Sequence, residues 1–317
     1  RNERKKGPFF AVVAVLSFFS LPTSAKTVVF LAVLSLSTTT TSAMKTILVT
    51  GATDGIGLET AKSLVALGHT VLLHGRSPAK LEALGLPGES YVADLSKLSS
   101  VVAMAAAIKA KHESLDVVVN NAGVFNTPQP VVDGLDVRFL VNTIAPYLLT
   151  LELMPLLNAE SRVVNLASAA QARVDLGAMR GQRKLGAQSA YAQSKLAIIA
   201  WTQKLSTQAA PSIVAVNPGS LLGSKMVKDA FGIAGGDLKI GSNILVRAAL
   251  DDTDFNPTNA NGNYWDNDAG HFSSYPPASA EDADAIVDTI HDIIKANLEG
   301  WDLPPSIRGL CPTSEKP

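Results

Sequence analysis

Thr46-Ile47-Leu48-Val49-Thr50-Gly51-Ala52-Thr53-Asp54-Gly55-Ile56-Gly57 is the stretch on which the fold turns. A short β-branched run ends in glycine. The glycines that follow, spaced G-x-x-x-G-x-G, open a segment whose pattern predicts a helix over 55–68, stopped by Gly68. Such a turn lets the backbone approach a pyrophosphate closely. The helix N-terminus then offers unpaired N–H groups and a partial positive charge to the phosphates. Gly51, Thr53, Asp54, Gly55, Ile56 and Gly57 are therefore candidate dinucleotide-binding residues. The alternative is a turn that merely joins strand to helix.

Working outward, further strands are predicted at Thr70–Leu73, Glu89–Ala93, Asp116–Val119, Arg162–Leu166 and Ser212–Val216. Helices are predicted over Ser96–His112, Leu135–Asn158 and Ser189–Gln208. Alternation of this kind implies right-handed crossovers and a doubly wound, mainly parallel sheet with helices on both faces. The expected fold is thus a Rossmann-type α/β domain, a single unit over 44–317. In such sheets ligands bind beyond the carboxyl ends of the strands. Gly51–Gly57, Asn120–Gly123, Ser168 and Pro218–Gly219 all follow strand ends.

Composition narrows the partners. The chain has 317 residues, 47% apolar and 17% charged, which excludes a disordered or collagen-like chain. The single cysteine, Cys311, rules out an intrachain disulfide framework. The five histidines form no H-x-x-x-H or H-x-H pair, which argues against a zinc enzyme. Residues 44–317 hold 22 basic and 27 acidic residues, a net of −5. That acidity argues against a nucleic-acid partner and against electrostatic attachment to an anionic membrane.

Residues 1–43 are of another character. A basic start, Arg1 to Lys6, precedes an apolar run from Phe9 to Leu21, too short to span a bilayer comfortably. Pro22-Thr23-Ser24-Ala25 suits a signal-peptidase cut after Ala25. A second apolar run, Val28–Leu36, leads into a Ser/Thr-rich stretch to Ser42. Three readings stay open: a cleaved signal or plastid transit segment, an uncleaved anchor, or sequence upstream of a start at Met44. The first implies a secretory or plastid destination, the last a cytoplasmic one. Membrane contact is expected only through 1–43.

The second predicted strand runs out as Leu72-Leu73-His74-Gly75-Arg76. An NAD site would place a carboxylate here for the ribose hydroxyls. None is present, and the planar fork of Arg76 suits a 2′-phosphate, so NADP(H) is favoured over NAD(H). Asp54 in the glycine turn weighs against this, and a merely solvated Arg76 is the alternative. After the third strand, Asp94-Leu95 would border the adenine, with Asp94 accepting from its amino group or instead capping the helix near Ser96.

Tyr191-Ala192-Gln193-Ser194-Lys195 carries the chemistry. Residues four apart on a helix share a face, so phenol and ammonium point into one space. A nearby cation favours the phenolate. Lowering a tyrosine pKa by about 3 units takes roughly 4 kcal/mol from Lys195 and an oxidised nicotinamide. A phenol so tuned exchanges a proton with a carbonyl or alcohol oxygen near neutral pH.

This pair stands with Asn120-Asn121-Ala122-Gly123, Asn142 in Val141-Asn142-Thr143, Ser168 in Asn165-Leu166-Ala167-Ser168-Ala169-Ala170, and Asn217-Pro218-Gly219. The ordered set, from about Met44 to Leu298, resembles the short-chain dehydrogenase/reductase family. The long gap between Ser168 and Tyr191, holding Arg180-Gly181-Gln182-Arg183-Lys184, resembles its retinol-dehydrogenase-like branch, as does a late strand at Gly262-Asn263-Tyr264-Trp265. The resemblance implies an NAD(P)-dependent oxidoreductase acting on a carbonyl or alcohol. Tyr191 would be the general acid/base, and Lys195 would hold the nicotinamide ribose. Ser168 would orient the substrate oxygen, and Asn142 would hold a water linking Lys195 to solvent. Asn121, Ala122 and Gly123 would line the cofactor, while Asn120 would only stabilise its loop. Backbone groups after Pro218-Gly219, with Ser220, would hold the nicotinamide amide. There the family usually carries a threonine, where this chain has Gly223 and Ser224.

Phe125, the 169–187 loop and Leu221–Phe231 would wall the substrate, although Leu221–Phe231 could instead be an amphipathic helix packed on the body. A lipophilic small molecule is the expected partner, with homodimers or homotetramers frequent in the family. A catalytically inactive NAD(P)-binding sensor or scaffold is the alternative function, against which the intact Asn142, Ser168, Tyr191 and Lys195 speak.

Overall fold

The computed structural model describes residues 43–273, 280–305 and 307. The readings of 1–42 and of Cys311 lie outside them. Eight strands form one sheet: β1 (Thr46–Val49), β2 (Thr70–Gly75), β3 (Glu89–Val92), β4 (Val117–Asn120), β7 (Arg162–Leu166), β8 (Ser212–Asn217), β9 (Tyr264–Asp266) and β10 (His271–Phe272). A separate hairpin pairs β5 (Val131–Val132) with β6 (Leu135–Asp136). The sheet order is β10-β9-β8-β7-β4-β1-β2-β3, with β10 antiparallel to β9 and every other pairing parallel. The chain reverses direction between β1 and β4, which opens a crevice beyond their carboxyl ends.

Alternation along the strands builds two cores. Ile47 and Val49 of β1 face one side with Val117 and Val119 of β4, packed by α1 (Gly55–Ala66), α2 (Pro78–Glu82) and α9 (Leu238–Leu250). Leu48 and Val118 face the other side. Against them pack α3 (Leu98–Lys109), a compound helix, α7 (Ala187–Ser206) and α11 (Ala280–Asn297). Because each β residue turns to the face opposite its neighbour, an apolar run buried on both sides is the pattern a covered parallel sheet requires.

The compound helix differs from the expected Leu135–Asn158. Residues 135–136 belong to the hairpin; α4 (Val137–Phe139) then passes through a π-helical stretch, Leu140–Ile144, into α5 (Ala145–Leu153). Its length and hydropathy would let it cross a membrane, yet it lies buried in the core. The expected Ser96–His112 helix begins at Leu98, because Ser96 is drawn into a turn by the Asp94 carboxylate. Three short helices complete the described residues, α6 (Leu176–Met179), α8 (Lys225–Phe231) and α10 (Pro257–Ala260). None of the residues of α8 is buried, so it covers the crevice rather than packing on the body.

Candidate active site

One cavity of about 720 Å³ runs along the carboxyl ends of the strands. The glycine turn forms one end of it, and Ser168, Tyr191 and Lys195 line the other.

At the glycine turn, Gly51 and Gly57 are required for space. A Cβ on Gly57 would stand 2.2 Å from Asn121 Nδ2 and 2.4 Å from the Gly51 carbonyl; one on Gly51 would stand 2.9 Å from Ala122 Cα. Asp54 caps α1, its carboxylate accepting from the Gly55 amide at 2.7 Å. Asn121 does not turn its amide outward. It donates to the carbonyls of Thr50 at 2.8 Å and Gly51 at 3.3 Å, while Thr50 Oγ1 accepts from the Ala122 amide at 3.0 Å. The ends of β1 and β4 are thereby sewn together under the turn. Thr53, Ile56, Leu95, Ala122 and Gly123 line the cavity with the turn glycines.

No sequence motif marks His74. It is buried at the end of β2, where Nδ1 accepts from the Gly51 amide at 3.2 Å and Nε2 donates to the Ala93 carbonyl at 3.1 Å. Burial pushes its pKa down to about 4, so the ring is neutral and held in one tautomer by its partners. Just beyond, Arg76 and Lys80 are exposed on the cavity rim. Asp94 keeps one carboxylate oxygen on Ser96, accepting from its amide at 3.0 Å and its hydroxyl at 2.8 Å.

At the other end, Tyr191 and Lys195 share the face of α7 that spacing predicts. Lys195 is buried, its Nζ donating to the Leu166 carbonyl at 2.6 Å and lying 5.7 Å from the Tyr191 ring centroid. Burial pushes the ammonium down to about 7. Burial likewise pushes the phenol up, against a hydrogen bond from Ser168 that pulls it down. The expected lowering of the tyrosine by the lysine is therefore not what the protein alone produces. By itself the fold keeps the proton on the phenol, the form able to donate it.

Asn142 is engaged within the fold through its side chain. Its Oδ1 accepts from the Val124 amide at 2.8 Å, and its Nδ2 donates to the Val124 carbonyl at 2.9 Å and to Ser194 Oγ at 3.0 Å. Both amide hydrogens are consumed, so the side chain braces the β4 loop against α7, and a water at Asn142 would have to donate to one of its carbonyl oxygens. Asn120 donates to Asn165 Oδ1 at 2.9 Å and Thr150 Oγ1 at 3.2 Å, an interior brace. Ser168 Oγ accepts from the Ala170 amide at 3.1 Å. Phe125 meets Tyr191 edge-on at 4.8 Å between centroids, and Phe231 of α8 lies 6.0 Å from Phe125. Pro218, Gly219, Met226 and Val227 also line this end.

The residues fit a dinucleotide. The cradle at Gly51 and Gly57 admits no Cβ, and the cavity is long enough to join it to Tyr191.

Comparisons with known proteins agree with this geometry. A sequence model of the family described as short chain dehydrogenase matches residues 45–231. Human retinol dehydrogenase 13 is 38% identical over 188 residues, 55% of this chain and 57% of the relative. Human polyprenol dehydrogenase is 34% identical over 50% of this chain and 53% of its own length. The chain thus spans little more than half the length of these curated relatives. Among solved structures, a protein from Mycobacterium Paratuberculosis superposes with a TM-score of 0.65 at 25% identity, covering 80% of this chain and 94% of its own. A short chain dehydrogenase from Escherichia coli CFT073 complexed with NADPH gives 0.56 at 26%, covering 70% and 96%. Matched across most of the described body, with its glycine cradle and tyrosine–lysine pair in one crevice, this chain belongs to the short chain dehydrogenase family and resembles its retinol dehydrogenases.

Proposed function

We propose that the chain is an NAD(P)-dependent oxidoreductase, with NADP(H) preferred, acting on a carbonyl or alcohol of a lipophilic small molecule. The observation that carries the proposal is the single cavity joining the glycine turn to Ser168, Tyr191 and Lys195. Gly51, Thr53, Asp54, Gly55, Ile56 and Gly57 would hold the pyrophosphate, Asp94 and Leu95 the adenine, and Asn121, Ala122, Gly123, Pro218 and Gly219 the remainder. Arg76 and Lys80, two cations on the rim with no carboxylate at the end of β2, support a 2′-phosphate. The relatives named for retinol and polyprenol, and the apolar wall of Phe125, Met226, Val227 and Phe231, support a lipophilic substrate.

The bound nicotinamide supplies or accepts the hydride. The chain's own residues handle orientation and the proton. Ser168 Oγ fixes the substrate oxygen, and Tyr191 gives its hydroxyl proton to that oxygen in reduction, or removes it in oxidation. Lys195, drawn to the Leu166 carbonyl, holds its charge beneath the phenol and stabilises the anion left behind. Asn142 keeps the loop after β4 in place.

The test mixes the purified protein with NADPH or NADH and a panel of aliphatic and aromatic aldehydes and ketones. NADPH consumption is expected with apolar members, reduced by about 10³-fold in Tyr191→Phe. Dinucleotide binding without turnover across the panel would favour the sensor. Equal turnover in Tyr191→Phe would remove the tyrosine from its role.

A further inference from the structure

We propose that Asp268, in the β9–β10 turn, is a positioning residue for the nicotinamide half of the cofactor, acting through the loop Asn217–Leu222; the proposal rests on the dinucleotide-binding reading above.

That loop leaves β8 along the floor of the cavity, with Pro218, Gly219, Leu221 and Leu222 among its lining. It lacks the threonine usual in the family, so contacts to a carboxamide fall to other groups of the loop. The structure supplies a clamp from outside the stretch that the family model matches. One oxygen of Asp268 accepts from the Ser220 amide at 2.9 Å. The other accepts from the Ser220 hydroxyl at 2.6 Å and from Asn217 Nδ2 at 3.0 Å. Asn267 adds two more ties, its amide donating to the Asn217 carbonyl at 3.2 Å and its Nδ2 to the Pro218 carbonyl at 3.0 Å. Asn217 itself is buried and accepts from the Gly219 amide at 3.3 Å.

Two consequences follow from this geometry. First, the amide and the hydroxyl hydrogen of Ser220 are both committed to Asp268, so Ser220 has no donor left for the nicotinamide amide and could meet it only as an acceptor. Second, the clamped loop emerges with Leu221 in the left-handed region at φ 51°, a conformation that a branched side chain adopts only under constraint. Neither the Leu221 nor the Leu222 N–H has an acceptor among the described residues. Leu222 is a buried residue on the cavity wall, where an amide without a protein partner is open to water or to a ligand. The nicotinamide amide offers the missing carbonyl acceptor. A carboxylate that takes three hydrogen bonds is well suited to such a clamp, since bonds to an ionised acceptor are the stronger kind. The usual carboxyl value is accordingly pulled down at Asp268 by the bonds from Ser220 and Asn217, although burial acts the other way.

The experiment separates the two halves of the ligand. Dissociation constants are measured by calorimetry for NADPH and for 2′-phospho-ADP-ribose, which lacks nicotinamide. NADH and ADP-ribose form the parallel pair. Wild type, Asp268→Ala, Asp268→Asn and Ser220→Ala are compared. For the coenzyme pair that wild type prefers, Asp268→Ala is expected to lose roughly tenfold in dinucleotide affinity while its affinity for the fragment is unchanged. Ser220→Ala, which keeps the amide bond, and Asp268→Asn, which keeps an acceptor for that amide, should fall between. Hydrogen exchange at the Ser220 amide in the free protein should quicken in Asp268→Ala. An unchanged ratio of dinucleotide to fragment affinity overturns the proposal, as does an equal loss for both ligands, which would mark a general effect on the fold. A wild type that binds neither ligand overturns the dinucleotide reading itself.

Discussion

Lys195 Nζ lies 5.7 Å from the centroid of the Tyr191 ring, held there by its 2.6 Å hydrogen bond to the Leu166 carbonyl. Lys195 is withdrawn from water and Tyr191 is half-buried at the cavity wall, and burial favours the neutral form of each. For the lysine, a folded pKa of about 7 against an ordinary 10.5 means that the unfolded chain binds more protons between those values. Stability therefore rises with pH across that window, and the full penalty stands below pH 7. Lys195→Met should melt above wild type at pH 6, with the gap closing toward pH 10. Thermal scans at five pH values check this, and two parallel curves would show that the ammonium is not under strain.

His74 makes the opposite end of the site sensitive to acid. Its folded pKa of about 4 lies below the ordinary 6.5, so stability falls as pH drops through that interval. Protonation would set an Nδ1–H against the Gly51 N–H, two donors facing each other. His74→Asn retains an acceptor for Gly51 and should lose less Tm between pH 6.5 and 4 than wild type. Some slope should remain, because burial also pushes His291 down to about 4. At pH 7.5 His74→Ala should weaken dinucleotide binding about tenfold, with His74→Asn recovering part of the loss. Fluorescence titration with NADPH reads both variants.

Arg138 stands behind the substrate wall. Its Nε donates to the Phe125 carbonyl at 2.8 Å, and its Nη1 reaches both oxygens of Asp136 at 3.0 and 2.9 Å. Phe125 in turn abuts Tyr191. Arg138→Ala leaves the Asp136 carboxylate largely buried without its cation, a loss of about 3 kcal/mol by urea denaturation. Arg138→Lys keeps the charge but not the fork, so it should fold while KM for apolar carbonyls rises and the dissociation constant for NADPH stays fixed. A change confined to NADPH affinity would detach Phe125 from the substrate.

The signals visible in sequence were those in which neighbours along the chain decide the structure. Strands β1, β4, β7 and β8 follow from short runs rich in β-branched residues, and the glycine turn and the Tyr191–Lys195 face follow from spacing alone. What escaped depends on contacts between distant segments. Asp268 reaches Ser220 across 48 positions, and His74 reaches Gly51 from a neighbouring strand. No periodicity encodes either. The π-helical stretch around Asn142 escaped for a related reason, since its apolar residues would pattern equally well on an unbroken helix. The apolar residues of α8 suit a cavity wall and a packing helix equally, and only the tertiary fold shows that none of them is buried and that Met226, Val227 and Phe231 line the cavity.

Two glycines of the same turn separate space from conformation. Gly57 admits no Cβ, because Asn121 Nδ2 and the Gly51 carbonyl would lie within 2.4 Å of it. Gly55 has room, the nearest atom being Ser224 Cβ at 3.6 Å, but it sits at φ 56°. Gly55→Ala should therefore lose only about 1 to 2 kcal/mol, the cost of a left-handed residue, and still bind NADPH. Gly57→Ala must push the Asn121 amide off Thr50 and Gly51, which unties β1 from β4 beneath the phosphates. It should abolish measurable NADPH binding while retaining a cooperative unfolding transition, since most residues of both cores lie outside the turn. Calorimetric titration beside a urea melt distinguishes the pair. Equal losses of binding in the two variants would mean that the turn's backbone angle, not its closeness to Asn121, sets the site.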